Sequence, residues 1–205
     1  NIEGIPKDNG VSFYVRLVYE PRVYTTVPDF PPSTSYPTTW NEVALDNMYV
    51  NLNRFMGMPV SLKVGRQDIA YGKGLVMLEG TPLDGSRTTF FDAIKGTIHL
   101  DDISTNVDLI YADNNARESR VQPLNIGESP YLSEYNTTVV GAYAISKIIP
   151  DQEIHGYWLY HHDDLVQTAK PLPKKKDINT MGALMQGKFA KSFDYYVEGA
   201  GQWGR

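Results

Sequence analysis

Two arginines and two aspartates bracket a glycine-bearing stretch. Arg66 and Asp68 open it, Arg87 and Asp92 close it, and Gly72, Gly74 and Gly80 lie between. A guanidinium fork matches a carboxylate bidentately, so such a cluster at a constriction can select anionic solutes. The same residues can instead form ion pairs that tie a long loop to the wall beneath it, because each Arg has an Asp close by. His155, His161 and His162, with Asp163 and Asp164, have the residue types of a metal site. Successive strand residues point to opposite faces, however, so His161 and His162 cannot share one ion within a strand. His161 with Asp163 could hold one in a loop; polarity at an exposed strand end is the other reading of these residues. Asp108 and Glu118 could be set as a glycosidase pair, but nothing in the sequence fixes their separation. No nucleophile elbow, phosphate-binding loop or His-Glu-x-x-His motif occurs. The expectation is a protein that is not an enzyme and uses no cofactor and no metal.

These residues need elements to hold them, and the chain is patterned for strands. Val11, Phe13, Val15, Leu17 and Tyr19 alternate with Ser12, Tyr14, Arg16, Val18 and Glu20, the two-residue period of a half-buried strand. Further strands are expected at 42–53, 59–69, 91–100, 105–113, 135–147, 152–162, 177–189 and 192–203. Pro28, Pro31, Pro32 and Pro37 make 21–40 a loop, since such proline density cannot join a sheet interior. The segment 163–176, with Pro171, Pro173 and Lys174 to Lys176, reads as another loop. That lysine run is a solvated stretch or a contact for lipopolysaccharide or an anionic ligand.

The connections then alternate long and short along the chain. Membrane barrels have that asymmetry, with short periplasmic turns and long extracellular loops, whereas a Greek-key sandwich does not require it. The expected strands also exceed the roughly 5–6 residues usual in soluble sheets. The fold expected is therefore all-β, an antiparallel transmembrane β-barrel, as a single domain over 1–205. Alternation puts Arg16, Lys63 and Lys95 on the polar, lumenal side, and Val15, Leu17, Leu62 and Val64 toward lipid. Strict alternation sends Gln67 inward and Arg66 outward, while a bulge near Gly65 would turn Arg66 inward. Both placements stay open.

Composition agrees without deciding. The 205 residues carry fourteen Tyr and no Cys, with a net charge of −5. Tyrosine suits the aromatic girdles of a barrel and would also suit a soluble carbohydrate-binding sandwich. The negative charge argues against a nucleic-acid partner. No apolar run is long enough for a transmembrane helix, which leaves barrel strands possible. The start, Asn-Ile-Glu-Gly-Ile-Pro, has no signal-peptide pattern, and the chain is expected to be an internal piece.

The stretch LKVGRQDIAYGKG (62–74), followed by SRTTFFDAIKG (86–96) and preceded by LDNMYVNL (45–52), resembles the alginate-export family of outer-membrane β-barrels. The likeness spans 42–113. It departs from the family pattern at Asn47-Met48, where a polar residue and Ala are usual, and at Ala93-Ile94, where a Gly commonly follows the Asp. The nine strands of the pattern are an odd number and would leave two edges unpaired in lipid, so they are expected to be part of a larger barrel; the resemblance implies roughly 16–18 strands, wide enough for an aqueous channel. It further implies a bacterial outer-membrane porin for passive diffusion of anionic solutes or uronate polysaccharide, lined by Arg16, Lys63, Arg66, Asp68, Arg87, Asp92 and Lys95. Its partners would be outer-membrane lipid and lipopolysaccharide. Alternatives are a barrel that sheathes another envelope protein, and the soluble carbohydrate binder.

Overall fold

The computed structural model describes residues 2–3, 10–23, 39–78, 90–117, 120–121, 123–125, 133, 135–166, 175–189 and 193–205. Each stretch of two-residue period forms a strand: β2 (Gly10–Val23), β3 (Thr39–Asn53), β4 (Val60–Gln67), β5 (Phe91–Leu100), β6 (Thr105–Asn114), β7 (Tyr135–Ser146), β8 (Gln152–Leu165), β9 (Lys175–Phe189) and β10 (Phe193–Gly204). A two-residue β1 (Ile2–Glu3) precedes them. All ten pair antiparallel with their sequence neighbours in one sheet. The outermost strands, β1 and β10, do not pair with each other, so the sheet is an open section of a β-barrel. Among the described residues no helix is long and apolar enough to cross a membrane.

Register sorts the side chains into two faces, because cross-strand partners lie on the same side. Val50, Val64, Ile94, Tyr111 and Val140 are successive partners across β3 to β7, and all five are exposed. One residue along β3, β4 and β5, the row is Asn51, Lys63 and Lys95, on the opposite face. An exposed apolar face backed by a polar one is the reverse of a soluble sheet and the arrangement of a barrel wall in lipid. Phe13, Leu17, Trp158, Met181, Val197 and Trp203 extend the apolar face across β2 and β8 to β10.

Several strand ends differ from the sequence expectation. β8 continues to Leu165 and β9 begins at Lys175, so the two ends of the loop expected over 163–176 are paired strand. Asp163 and Asp164 stand opposite Lys176 and Lys175, and opposite charges across a ladder are favourable; Lys175 Nζ lies 3.1 Å from Asp164. Pro21 sits inside β2, opposite Asn41. Among the described residues β2 is paired there on one side, since β1 pairs with it at Tyr14 and Val15, and an edge tolerates proline. β4 stops at Gln67, two residues early, for the reason developed below. At the other end of the sheet, short 3-10 turns at Phe55–Gly57 and Asp101–Ile103 close the β3–β4 and β5–β6 connections. Arg54 forks onto both Asp101 oxygens at 2.9 Å and ties these turns together.

Candidate functional site

The residues from Gly65 to Tyr71 turn the chain off the wall and across its polar face. Gly65 has φ +124, and a Cβ there would stand 2.3 Å from the Met48 carbonyl oxygen, so only glycine fits. Alternation nevertheless holds through it. Arg66 follows Val64 onto the apolar face, opposite Met48 and Asp92, and Gln67 points to the polar face. An arginine on the lipid side of a barrel costs roughly 2–4 kcal/mol at the midplane, and here it is 2% exposed. Its Nε and Nη2 donate to Asp92 at 2.9 and 3.1 Å, and Nη1 donates to the Leu45 carbonyl at 3.1 Å. The guanidinium also lies 3.6 Å from the Phe90 ring centroid. Gln67 is fully buried, and its Nε2 lies 3.0 Å from the Ala93 carbonyl of β5 and within 3.3 Å of two carbonyls of its own strand.

Asp68 is where β4 ends, because its carboxylate is taken by another strand. Arg16 Nη2 donates to it at 2.9 Å and Asn47 Nδ2 at 2.8 Å, while Arg16 Nε reaches Asp46 at 2.5 Å. Asp46 is the extra residue of a bulge on β3, between the pairs Arg16–Asn47 and Leu17–Leu45. The chain then crosses the polar face. Ile69, Tyr71 and Met77 pack in one buried cluster with Ala93, Ile110, Ala112, Val139, Tyr143, Tyr157 and Leu159. The Tyr71 ring lies flat on Tyr143, centroids 3.8 Å apart, and Tyr143 stacks on Tyr157 at 5.2 Å. Tyr71 Oη donates to Asp108 at 2.6 Å. Burial first, and the Asp108 charge second, raise the Tyr71 hydroxyl well above its ordinary pKa of 10.0, so the docked ring is neutral. Beyond it the Lys73 backbone N–H donates to Tyr196 Oη of β10 at 3.2 Å.

The charged residues singled out from the sequence therefore form two groups. Arg66 and Asp92 make a shielded pair on the apolar face, with Arg120 bonded to Asp113 at the same end of the sheet. Asp68 joins Arg16 on the polar face. Of the residues Arg66, Asp68, Arg87 and Asp92, Arg66 and Asp92 thus stand on the other face of the sheet from Asp68, and Arg87 lies outside the described residues. Lys63 and Lys95 both lie on the polar face and are direct partners across β4 and β5. Lys63 Nζ stands 3.8 Å over the Tyr49 ring, itself stacked on Tyr14, and Lys95 Nζ is 3.3 Å from Asp108. His161 and His162 occupy opposite faces; His161 meets Asp163 at 2.8 Å and His162 meets Asp177 at 2.7 Å. Asp108 serves Tyr71, Thr97 and Lys95, and Glu118 lies outside the described residues. Of the lysine run, Lys175 pairs with Asp164 and Lys176 sits over the Tyr135 ring, while Lys174 lies outside them. Tyr71, Tyr143 and Tyr157 were not singled out from the sequence. The available signal was Tyr71 between Ala70 and Gly72, a large aromatic in a run of small residues.

An antiparallel sheet that is apolar outside and polar inside, crossed by a segment folded onto its polar face, defines a section of a membrane channel. A family model for alginate export matches residues 19–205, and the chain belongs to that family. The match covers far more of the chain than the motif region alone. At the level of the family this is an outer-membrane β-barrel export channel. No curated protein and no solved structure matches the chain.

Proposed function

We propose that the chain lines an outer-membrane channel through which anionic solutes of the uronate class pass by diffusion, with no covalent step. The observation that carries this is the Lys63–Lys95 pair, registered directly across β4 and β5 on the polar face. Like charges directly opposite one another in a sheet are destabilising; Asp108 meets only Lys95 of the two, and a passing carboxylate adds a second counter-charge. A lysine presents a mobile point charge rather than a rigid fork. That suits a wall that must hold an ion long enough to admit it and weakly enough to release it. The inward segment narrows the path beside this pair, since Tyr71 and Lys95 share the Asp108 carboxylate.

Reversal potentials across planar bilayers holding the full-length protein in a salt gradient test the proposal. The unmodified protein is expected to prefer anions, and Lys63→Glu/Lys95→Glu to abolish or invert that preference. An unchanged reversal potential in the double variant removes the pair from the selectivity and overturns the proposal.

A further inference from the structure

We propose a lipid-binding site on the apolar face, near the long-loop end of the sheet, for lipid A, the phosphorylated and multiply acylated glycolipid of the outer leaflet. A cavity of about 400 Å³ opens there on the side of the wall turned to lipid. Met48, Val64, Ile94 and Tyr111 line it, four exposed side chains drawn from β3, β4, β5 and β6. Toward the long loops the lining becomes charged, with Arg66 paired to Asp92 and Arg120 to Asp113. Val121, from the β6–β7 connection, borders the same space. That connection is held on both sides. Arg120 Nη2 donates to Asp113 of β6 at 2.5 Å. Farther along, the Leu124 N–H donates to the Val43 carbonyl of β3 at 2.8 Å, and Asn125 Oδ1 accepts from the Val43 N–H at 2.7 Å. The connection therefore bridges β6 and β3 across the ends of β4 and β5, the two strands between them.

The division of this lining identifies the ligand class. An apolar trough that ends in charge takes a molecule with hydrocarbon at one end and a polar head at the other. The two charged pairs differ in what they leave for such a head. Arg66 is buried and spends its donors on Asp92 and the Leu45 carbonyl. The Arg120 side chain is 41% exposed. Of the five N–H donors of a guanidinium, its bonds to the Asp113 carbonyl and carboxylate use two. Among the described residues the other three have no partner, and a phosphate accepts two such donors side by side. Position selects the lipid. The trough is continuous with the exposed apolar face of the wall, and long loops lie on the outer side of an outer-membrane barrel, so a head at this end belongs to the outer leaflet. The volume is within the range of about 300–1,000 Å³ usual for organic ligands. The site is independent of which solute the channel passes.

Native mass spectrometry of the full-length protein in detergent, titrated with lipid A, tests the site. The unmodified protein is expected to retain lipid A. Arg120→Ala should weaken retention about tenfold, the loss of one charged hydrogen bond. Ile94→Trp, which fills the trough from an exposed position, should weaken it by a similar factor. Arg120→Gln and Val64→Phe are the second variants should either fail to fold. Val197→Trp, a like change on the apolar face outside the trough, should leave retention unchanged. Lipid A stripped of its phosphates is expected to bind the unmodified protein about as weakly as lipid A binds Arg120→Ala. An equal loss in Val197→Trp would mean that lipid coats the whole face without a site, and it overturns the proposal. Unchanged retention in Arg120→Ala or in Ile94→Trp does the same, as does equal binding of the dephosphorylated form or equal competition by phosphatidylglycerol. An unmodified protein that retains no lipid A has its trough filled by its own chain, and that result also overturns the proposal.

Discussion

Arg66 has the residue type of a pore-lining group and the environment of a structural one. It donates to Asp92, to the Leu45 carbonyl and over the Phe90 ring, on the face turned away from the lysine pair. Arg66→Ala leaves the largely buried Asp92 carboxylate without its fork and is expected to destabilise the folded barrel by roughly 3 kcal/mol, read as a fall in the denaturant midpoint. Reversal potential should not move, because the side chain does not face the channel. A selectivity shift with stability intact would put Arg66 back into the lumen. Arg66→Lys is expected to recover only part of the stability, since one ammonium cannot keep three directed bonds and the ring contact. Alternation correctly sent Arg66 outward and Gln67 inward. What the sequence left open was whether Gly65 reversed the order, and that depends on the Met48 carbonyl across the ladder, a contact that no local pattern reports.

In the proposed channel the inward segment is the element that sets the path's width. Its glycines marked it as a loop, but its direction was not legible, because its partners are distant in sequence; Lys73 and Tyr196 are 123 positions apart. The hold on the wall is the Tyr71–Tyr143–Tyr157 stack, each aromatic pair contributing roughly 0.5–1.5 kcal/mol beyond burial, together with the Tyr71–Asp108 bond. That bond makes docking pH-dependent with a definite sign. Burial and Asp108 raise the pKa of docked Tyr71, whereas the undocked side chain titrates near 10.0. Docking is therefore fully favoured below pH 10 and lost progressively as pH rises above it, when only the undocked form can ionise. Conductance is expected to increase between about pH 10 and 12 in the unmodified protein and to lose that rise in Tyr71→Phe, which has no proton to release. A rise that persists in Tyr71→Phe would assign the titration to another group. At neutral pH the same substitution should widen the path modestly, because Asp108 keeps Thr97 and Lys95 while the segment loses one bond.

At the scale of the whole molecule, the strand period and the alternation of long and short connections made the fold legible. Both follow from lipid on one side and water on the other, which constrain every strand alike. Strand ends were less legible, because pairing beyond Asp163 and before Asp177 depends on cross-strand charges rather than on apolar period. The sheet's two faces predict a sharp difference between adjacent residues. The chain has no cysteine, so single cysteines can be placed in it without background. Lys63→Cys and Lys95→Cys point to the channel, and a charged, membrane-impermeant thiol reagent is expected to modify both and lower the conductance. Val64→Cys and Ile94→Cys, one residue along each strand, point to lipid; they should resist that reagent and react with a lipid-soluble maleimide. Modification of Val64→Cys and Ile94→Cys by the charged reagent, with conductance falling, would mean that the apolar face is wet and that the sheet is turned the other way in the wall.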